Sequence, residues 1–200
     1  MAVVIPVYFD YASSLCFIAQ SLAPRLETDL GITFDWRPVE IAARHPGWRK
    51  GAPLGAEVRS RIERVAAETG VAVRVPDRWL DSRAALEGAL FARARDRLRD
   101  YHARVFEAAF VTGEDIADRY VLTRVARDSG LPIGDFMQGL ATRAYADELA
   151  TSINEAARLG VVGYPTFLLG EFPLTGIHPL ETMRLLLERY IERLAPRSLH

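Results

Sequence analysis

The chain has 200 residues, enough for one cored domain or for one domain carrying a large insertion. Half of them are hydrophobic, 26% are charged and the net charge is −1, which suits a globular protein and argues against generic nucleic-acid binding. Cys16 is the only cysteine, so neither a disulfide scaffold nor a two-cysteine redox cycle within one chain is available.

In chain order, Val3 to Phe9 reads as an apolar strand and residues 14–28 as a helix that carries Pro24. After Gly31, Ile32, Phe34 and Trp36 alternate with Thr33, Asp35 and Arg37, the pattern of a second strand that ends at Pro38. Pro46, Gly47, Gly51 and Pro53 make residues 42–54 a loop. From about 55 to 159 the pattern is helical almost throughout. Asp81-Ser82 can cap one helix, and Asp118 can cap another that stops at Gly130-Leu131-Pro132. A further helix covers roughly 142–159. Thr166–Leu169 and Phe172–Thr175 then read as two short strands around Gly170-Glu171, and a last helix runs from Pro179 to Leu194.

The order strand, helix, strand, helical block, hairpin, helix describes a small α/β unit interrupted once. The expected division is a core of residues 1–54 and 160–200 with an all-helical insertion of residues 55–159. The start of the chain lacks a basic segment, and Pro6 and Asp10 break its apolar stretch, so a signal peptide is not expected. No apolar run reaches the length of a membrane span. The expected location is the cytoplasm.

Chemistry is expected where the first strand meets the first helix. There the free amides and the dipole of a helix N-terminus favour an anion, thiolate included. Ser13 occupies that point, with Ser14 beside it and Cys16 one turn further in. The spacing is that of a Cys-x-x-Cys redox pair with serine in the attacking place. A serine hydroxyl does not ionise near neutral pH, but it donates a hydrogen bond well. Holding the thiolate of a bound thiol by about 2–3 kcal/mol would raise that thiol's acidity roughly a hundredfold. The plainer alternative is an N-cap serine. For Cys16 the alternatives are a small buried hydrophobe and a thiol that pairs with a partner.

The second motif is Gly160-Val161-Val162-Gly163-Tyr164-Pro165-Thr166-Phe167. Together with the Ser13–Cys16 segment it resembles the DsbA-like thioredoxin fold with its helical insertion. Trp36-Arg37-Pro38-Val39-Glu40-Ile41 and Ala109 to Ile116 are similar to the FrnE-type branch. Serine in place of the first cysteine is shared with kappa-class glutathione transferases and 2-hydroxychromene-2-carboxylate isomerases. Ile177-His178 stands where those relatives have Asp-Arg or Asp-Ser.

The resemblance implies an α/β thioredoxin fold and a cis Tyr164–Pro165 bond, with the Tyr164-Pro165-Thr166 backbone aligning a peptide-like thiol. It implies catalytic roles for Ser13 and Cys16, and a thiol- or substrate-binding role for Ser14, Tyr164, Pro165, Thr166 and His178. Glutathione is the expected co-substrate of an isomerase or transferase. The alternatives are a FrnE-like thiol-disulfide oxidoreductase that uses Cys16 alone and a non-catalytic peptide- or partner-binding module. The expected partners are a small thiol and a small electrophile, with a homodimer allowed and neither nucleic acid nor membrane expected. No metal is expected, since His45, His102 and His200 have no ligand spacing.

Trp48 and Trp79 could wall a hydrophobic pocket, although core packing is the simpler expectation for each. Arg93, Arg95, Arg97 and Arg99, alternating with Asp96 and Asp100, read as a solvated helix face.

Overall fold

The computed structural model describes residues 2–45 and 47–194; Pro46 and His200, on which two of the expectations above fall, lie outside them. A four-stranded sheet has the order β2-β1-β3-β4, with β1 (Val3–Phe9), β2 (Ile32–Pro38), β3 (Thr166–Leu169) and β4 (Phe172–Thr175). β2 lies parallel to β1, while β3 runs antiparallel to both β1 and β4. A parallel neighbour needs a crossover, and α1 (Ser14–Leu30) supplies it. α1 ends at Gly31, whose φ of 62° suits a residue without a Cβ. Between β2 and β3 come α2 (Ala56–Thr69), α3 (Arg83–Arg93), α4 (Leu98–Glu107), α5 (Arg119–Asp128), α6 (Ile133–Thr142) and α7 (Ala146–Arg158). α8 (Leu180–Leu194) closes the described chain.

Alternation along the strands divides the core between the two faces of the sheet. Ile5, Val7, Phe34 and Phe167 pack on one face with Ile18 and Leu26 of α1 and with Met183 and Leu187 of α8. Tyr8, Phe9 and Leu168 join the other cluster, whose bulk is the helical block. Cys16 and Phe17 belong to that second cluster, so α1 touches both.

The structure departs from the expected helical block at residues 70–82, which form an extended strap. Gly70 ends α2 with φ 71°, and the β-branched Val71, Val73 and Val75 lead to Pro76, a poor helical run. The strap lies against the 51–54 loop: the Gly51 amide donates to the Trp79 carbonyl at 2.8 Å, and the Trp79 amide donates to Ala52 at 2.9 Å.

Two further expectations need correction. Ser82 precedes α3 but makes no side-chain cap; Asp81 Oδ1 instead accepts the Arg83 amide at 3.2 Å. The arginines from 93 to 99 do not share a helix face, since the chain turns between α3 and α4 with Asp96 at φ 56°. Arg93 bonds to the Trp36 carbonyl and to Asp35, Arg95 lies over the Phe91 ring, and Arg99 pairs with Glu27.

No described helix is long and apolar enough to cross a membrane.

Candidate active site

The loop from β1 into α1 is fixed by its own polar groups. The Ser13 amide donates to the Asp10 carbonyl at 3.1 Å, and the Ser13 Oγ accepts the Cys16 amide at 3.3 Å. Ser13 is thereby the N-cap of α1, and no acidic side chain occupies the first turn of that helix. Among the described residues, the Ser14 and Leu15 amides find no acceptor. Together with the Ser13 hydroxyl proton they form a set of unspent donors.

Ala12, Ser13, Ser14 and Leu15 line part of a cavity of about 390 Å³. Gly163, Tyr164, Thr175 and Gly176 form a second wall. A Cβ at Gly163 would lie 2.7 Å from the Thr175 methyl, so a larger residue there would displace that side chain. The Tyr164–Pro165 bond is cis, and neither the amide nor the carbonyl of Tyr164 makes a hydrogen bond among the described residues. That backbone is free to pair with an extended ligand.

Part of the lining is aromatic. Trp48 and Trp79 stack with ring centroids 3.8 Å apart, and both line the cavity beside His45 and Leu54. Both tryptophans therefore wall the cavity, and Trp48 also packs against the core cluster, as the simpler expectation has it. The unexpected strap carries Trp79 there, and Lys50 anchors the facing loop by ion pairs to Glu40 at 2.9 Å and Asp81 at 2.8 Å. Arg61, on α2, also lines the cavity and has no carboxylate partner among the described residues.

Several expected site residues lie elsewhere. Cys16 is fully buried behind the wall; burial pushes its thiol up to about 12, against the opposing pull of the Ser13 hydroxyl. Pro165 and Thr166 are also buried. The Pro165 carbonyl accepts the Gly176 amide at 2.7 Å, and the Thr166 hydroxyl donates to the Gly163 carbonyl at 2.6 Å. These two brace the cavity wall without forming its surface. His178 is exposed and outside the lining, because the chain turns away after Gly176 to start α8.

Two buried polar residues near the site, Asp10 and His102, are not announced by the sequence. Asp10 is buried and accepts the amides of Ala12 at 2.9 Å and Ile41 at 2.6 Å. Burial raises its carboxyl to about 6 despite these bonds. An aspartate three residues before a helix cap is a local turn signal, but nothing local announces the partner at Ile41. His102 is enclosed by Phe9, Trp36 and Phe106, with Nδ1 3.1 Å from the Tyr11 hydroxyl. Burial, with the Arg93 charge, holds its imidazole down at about 3. Among the described residues there is no group of three side chains suited to hold a metal ion.

Residues 4–188 match the DSBA-like thioredoxin domain. The chain belongs to that family. Its enzyme fold is the one shared by the family's oxidoreductases and isomerases. An uncharacterised protein from Bacillus subtilis, YwbO, is 27% identical over 186 residues, spanning 88% of this chain and 91% of its own. A 2-hydroxychromene-2-carboxylate isomerase from Sphingobium xenophagum is 26% identical over 178 residues, or 86% and 91% of the two chains. A solved 2-hydroxychromene-2-carboxylate isomerase superimposes with a TM-score of 0.79 at 20% identity, over 98% of this chain and 97% of that one. The cytosolic disulfide reductase DsbM from Pseudomonas aeruginosa, solved with GSH, gives a TM-score of 0.68 at 21% identity over 95% and 100%.

Proposed function

We propose that this DsbA-family enzyme is a glutathione-dependent isomerase or transferase in which Ser13 holds the thiolate of the bound tripeptide. The observation that carries the reading is that Ser13, Ser14 and Leu15, with their unspent donors, line the same cavity as the Trp48–Trp79 stack. The donors suit a sulfur anion, and the stacked indoles suit a flat, unsaturated co-substrate. The free Tyr164 backbone suits the peptide groups of glutathione, and Arg61 suits a carboxylate entering with either ligand.

In this mechanism the sulfur adds to an electrophilic carbon of a conjugated substrate. As the S–C bond forms, the electron pair of the double bond moves onto the conjugated oxygen. Rotation and loss of the thiolate return an isomer; protonation at carbon leaves a conjugate. The burial of Cys16 weighs against the one-cysteine oxidoreductase, because a mixed disulfide needs an accessible sulfur. Support also comes from the names of two similar proteins, an isomerase and a reductase solved with GSH.

The test is a glutathione titration followed by thermal shift and calorimetry. Saturable binding is expected, with S-methylglutathione binding less tightly and Ser13→Ala weakening glutathione about tenfold, the scale of a hydrogen bond to a charged group. Absence of any glutathione-dependent shift would overturn the reading.

A further inference from the structure

The carboxylate of Asp10 ties two separate parts of the chain together. Its Oδ1 accepts the amide of Ala12 and its Oδ2 the amide of Ile41, 31 residues away from it in sequence. The Asp10 carbonyl also accepts the Ser13 amide. Ala12, Ser13 and Ile41 all line the cavity. Nothing in the proposed reaction uses this residue, and its 1% exposure keeps it from any ligand.

Asp10 forms no ion pair among the described residues. The neighbouring Glu40, after β2, takes Lys50 and Arg83 for itself, and the other titratable groups around Asp10 are Tyr11, Cys16 of α1 and Tyr164. A buried carboxylate served only by amides is an unfavourable way to hold a charge. An apolar residue would fill the space with less penalty but would leave two amides without acceptors.

We propose that Asp10 is the positioning residue of this site: by holding the Ala12 and Ile41 amides together, it fixes the Ser13 hydroxyl and the free Ser14 and Leu15 amides in the cavity wall. The proposal rests on the reading of that turn as a thiolate site, but its test does not use glutathione. The double variant Ser13→Cys/Cys16→Ala places a single thiol at the end of α1. Its thiolate absorbance reports how well the donors are aimed.

Asp10→Asn and Asp10→Ala are then compared in that background. Both remove the charge, so any electrostatic effect on the thiol is common to the two. Only asparagine keeps one acceptor. The thiol of the alanine form is expected to titrate about half to one pH unit higher than that of the asparagine form, as loss of aligned N–H donors predicts. Equal midpoints, or a lower one for alanine, would overturn the proposal. If Asp10→Ala does not fold, Asp10→Ser replaces it, since its hydroxyl is too short to reach Ile41. A protein that fails to bind glutathione but shows the expected order would refute the proposed function and leave the role of Asp10 standing.

Discussion

Ser13 Oγ and the Cys16 amide are joined by a 3.3 Å hydrogen bond, yet the two side chains belong to different surroundings. Ser13 stands in the cavity wall, whereas Cys16 is sealed in the apolar cluster between α1 and the helical block. One turn of helix thus separates a donor that a ligand can reach from a thiol that solvent cannot. A pair of that spacing is built for redox exchange only if the outer position carries sulfur.

The first expectation follows from this pair. Wild-type protein will not drive dithiol-dependent reduction of insulin, whereas Ser13→Cys will gain turnover, because it adds the attacking thiolate and leaves Cys16 to resolve the mixed disulfide. Robust wild-type turnover would contradict the arrangement.

Cys16 itself is expected to alkylate slowly with iodoacetamide in native protein near neutral pH and rapidly after denaturation. Its folded pKa, near 12, lies above the unfolded value, so its stabilising contribution is complete below about pH 8.5 and is lost as pH rises towards 12. Cys16→Ala should cost on the order of 1 kcal/mol by chemical denaturation. It should leave glutathione binding unchanged.

Two buried groups give acid stability opposite slopes. Asp10, raised to about 6 by burial, is favoured in its protonated form, so its contribution is full below about pH 4 and declines as pH rises to 6. The decline is on the order of 2–3 kcal/mol. His102, depressed to about 3, contributes fully above about pH 6.5 and loses that contribution as pH falls. Melting curves from pH 3 to 8 for wild type and Asp10→Asn separate the two. The difference between the curves should change between pH 4 and 6 and be flat above 7.

The aromatic wall should be felt by the co-substrate and not by the thiol. Trp48→Ala or Trp79→Ala is expected to weaken binding of a planar aromatic probe about tenfold. Glutathione binding should hold within about twofold, far less than the loss of a charged hydrogen bond would cause. Equal losses for both ligands would mean that the stack shapes the whole cavity.

The strands, the hairpin and the first helix were legible in the sequence because each is a local pattern. Ile32, Phe34 and Trp36 alternate, Gly31 stops a helix, and Gly170-Glu171 separates two short apolar runs. The strap at 70–82 was not legible as such, because Val71 to Val75 pairs with nothing nearby. It is held by a distant loop through Gly51, Ala52 and Leu54, and by Phe110, whose carbonyl accepts the Arg74 amide at 2.8 Å. Ser13 could be read from its motif, whereas Asp10 and the Trp48–Trp79 stack depend on contacts that no local spacing encodes. The expectation for His178 rests on resemblance alone, and the turn after Gly176 leaves it exposed and outside the cavity lining.

At the centre of the sheet Val7 pairs with Phe167, so this contact closes a loop of roughly 160 residues, at about 4–5 kcal/mol of chain entropy on the logarithmic scale. The helices between them find their partners within much shorter stretches, as α3 does with α4 and α5 with α6. A chain leaving the ribosome can therefore assemble β1, α1, β2 and most of the helical block while the inner edge of β1 is still unpaired. The Ser13 turn exists early, but its Tyr164 wall arrives only with the last part of the chain. Until then the nascent protein shows an open strand edge above an apolar face, the kind of surface that invites mispairing between neighbouring chains.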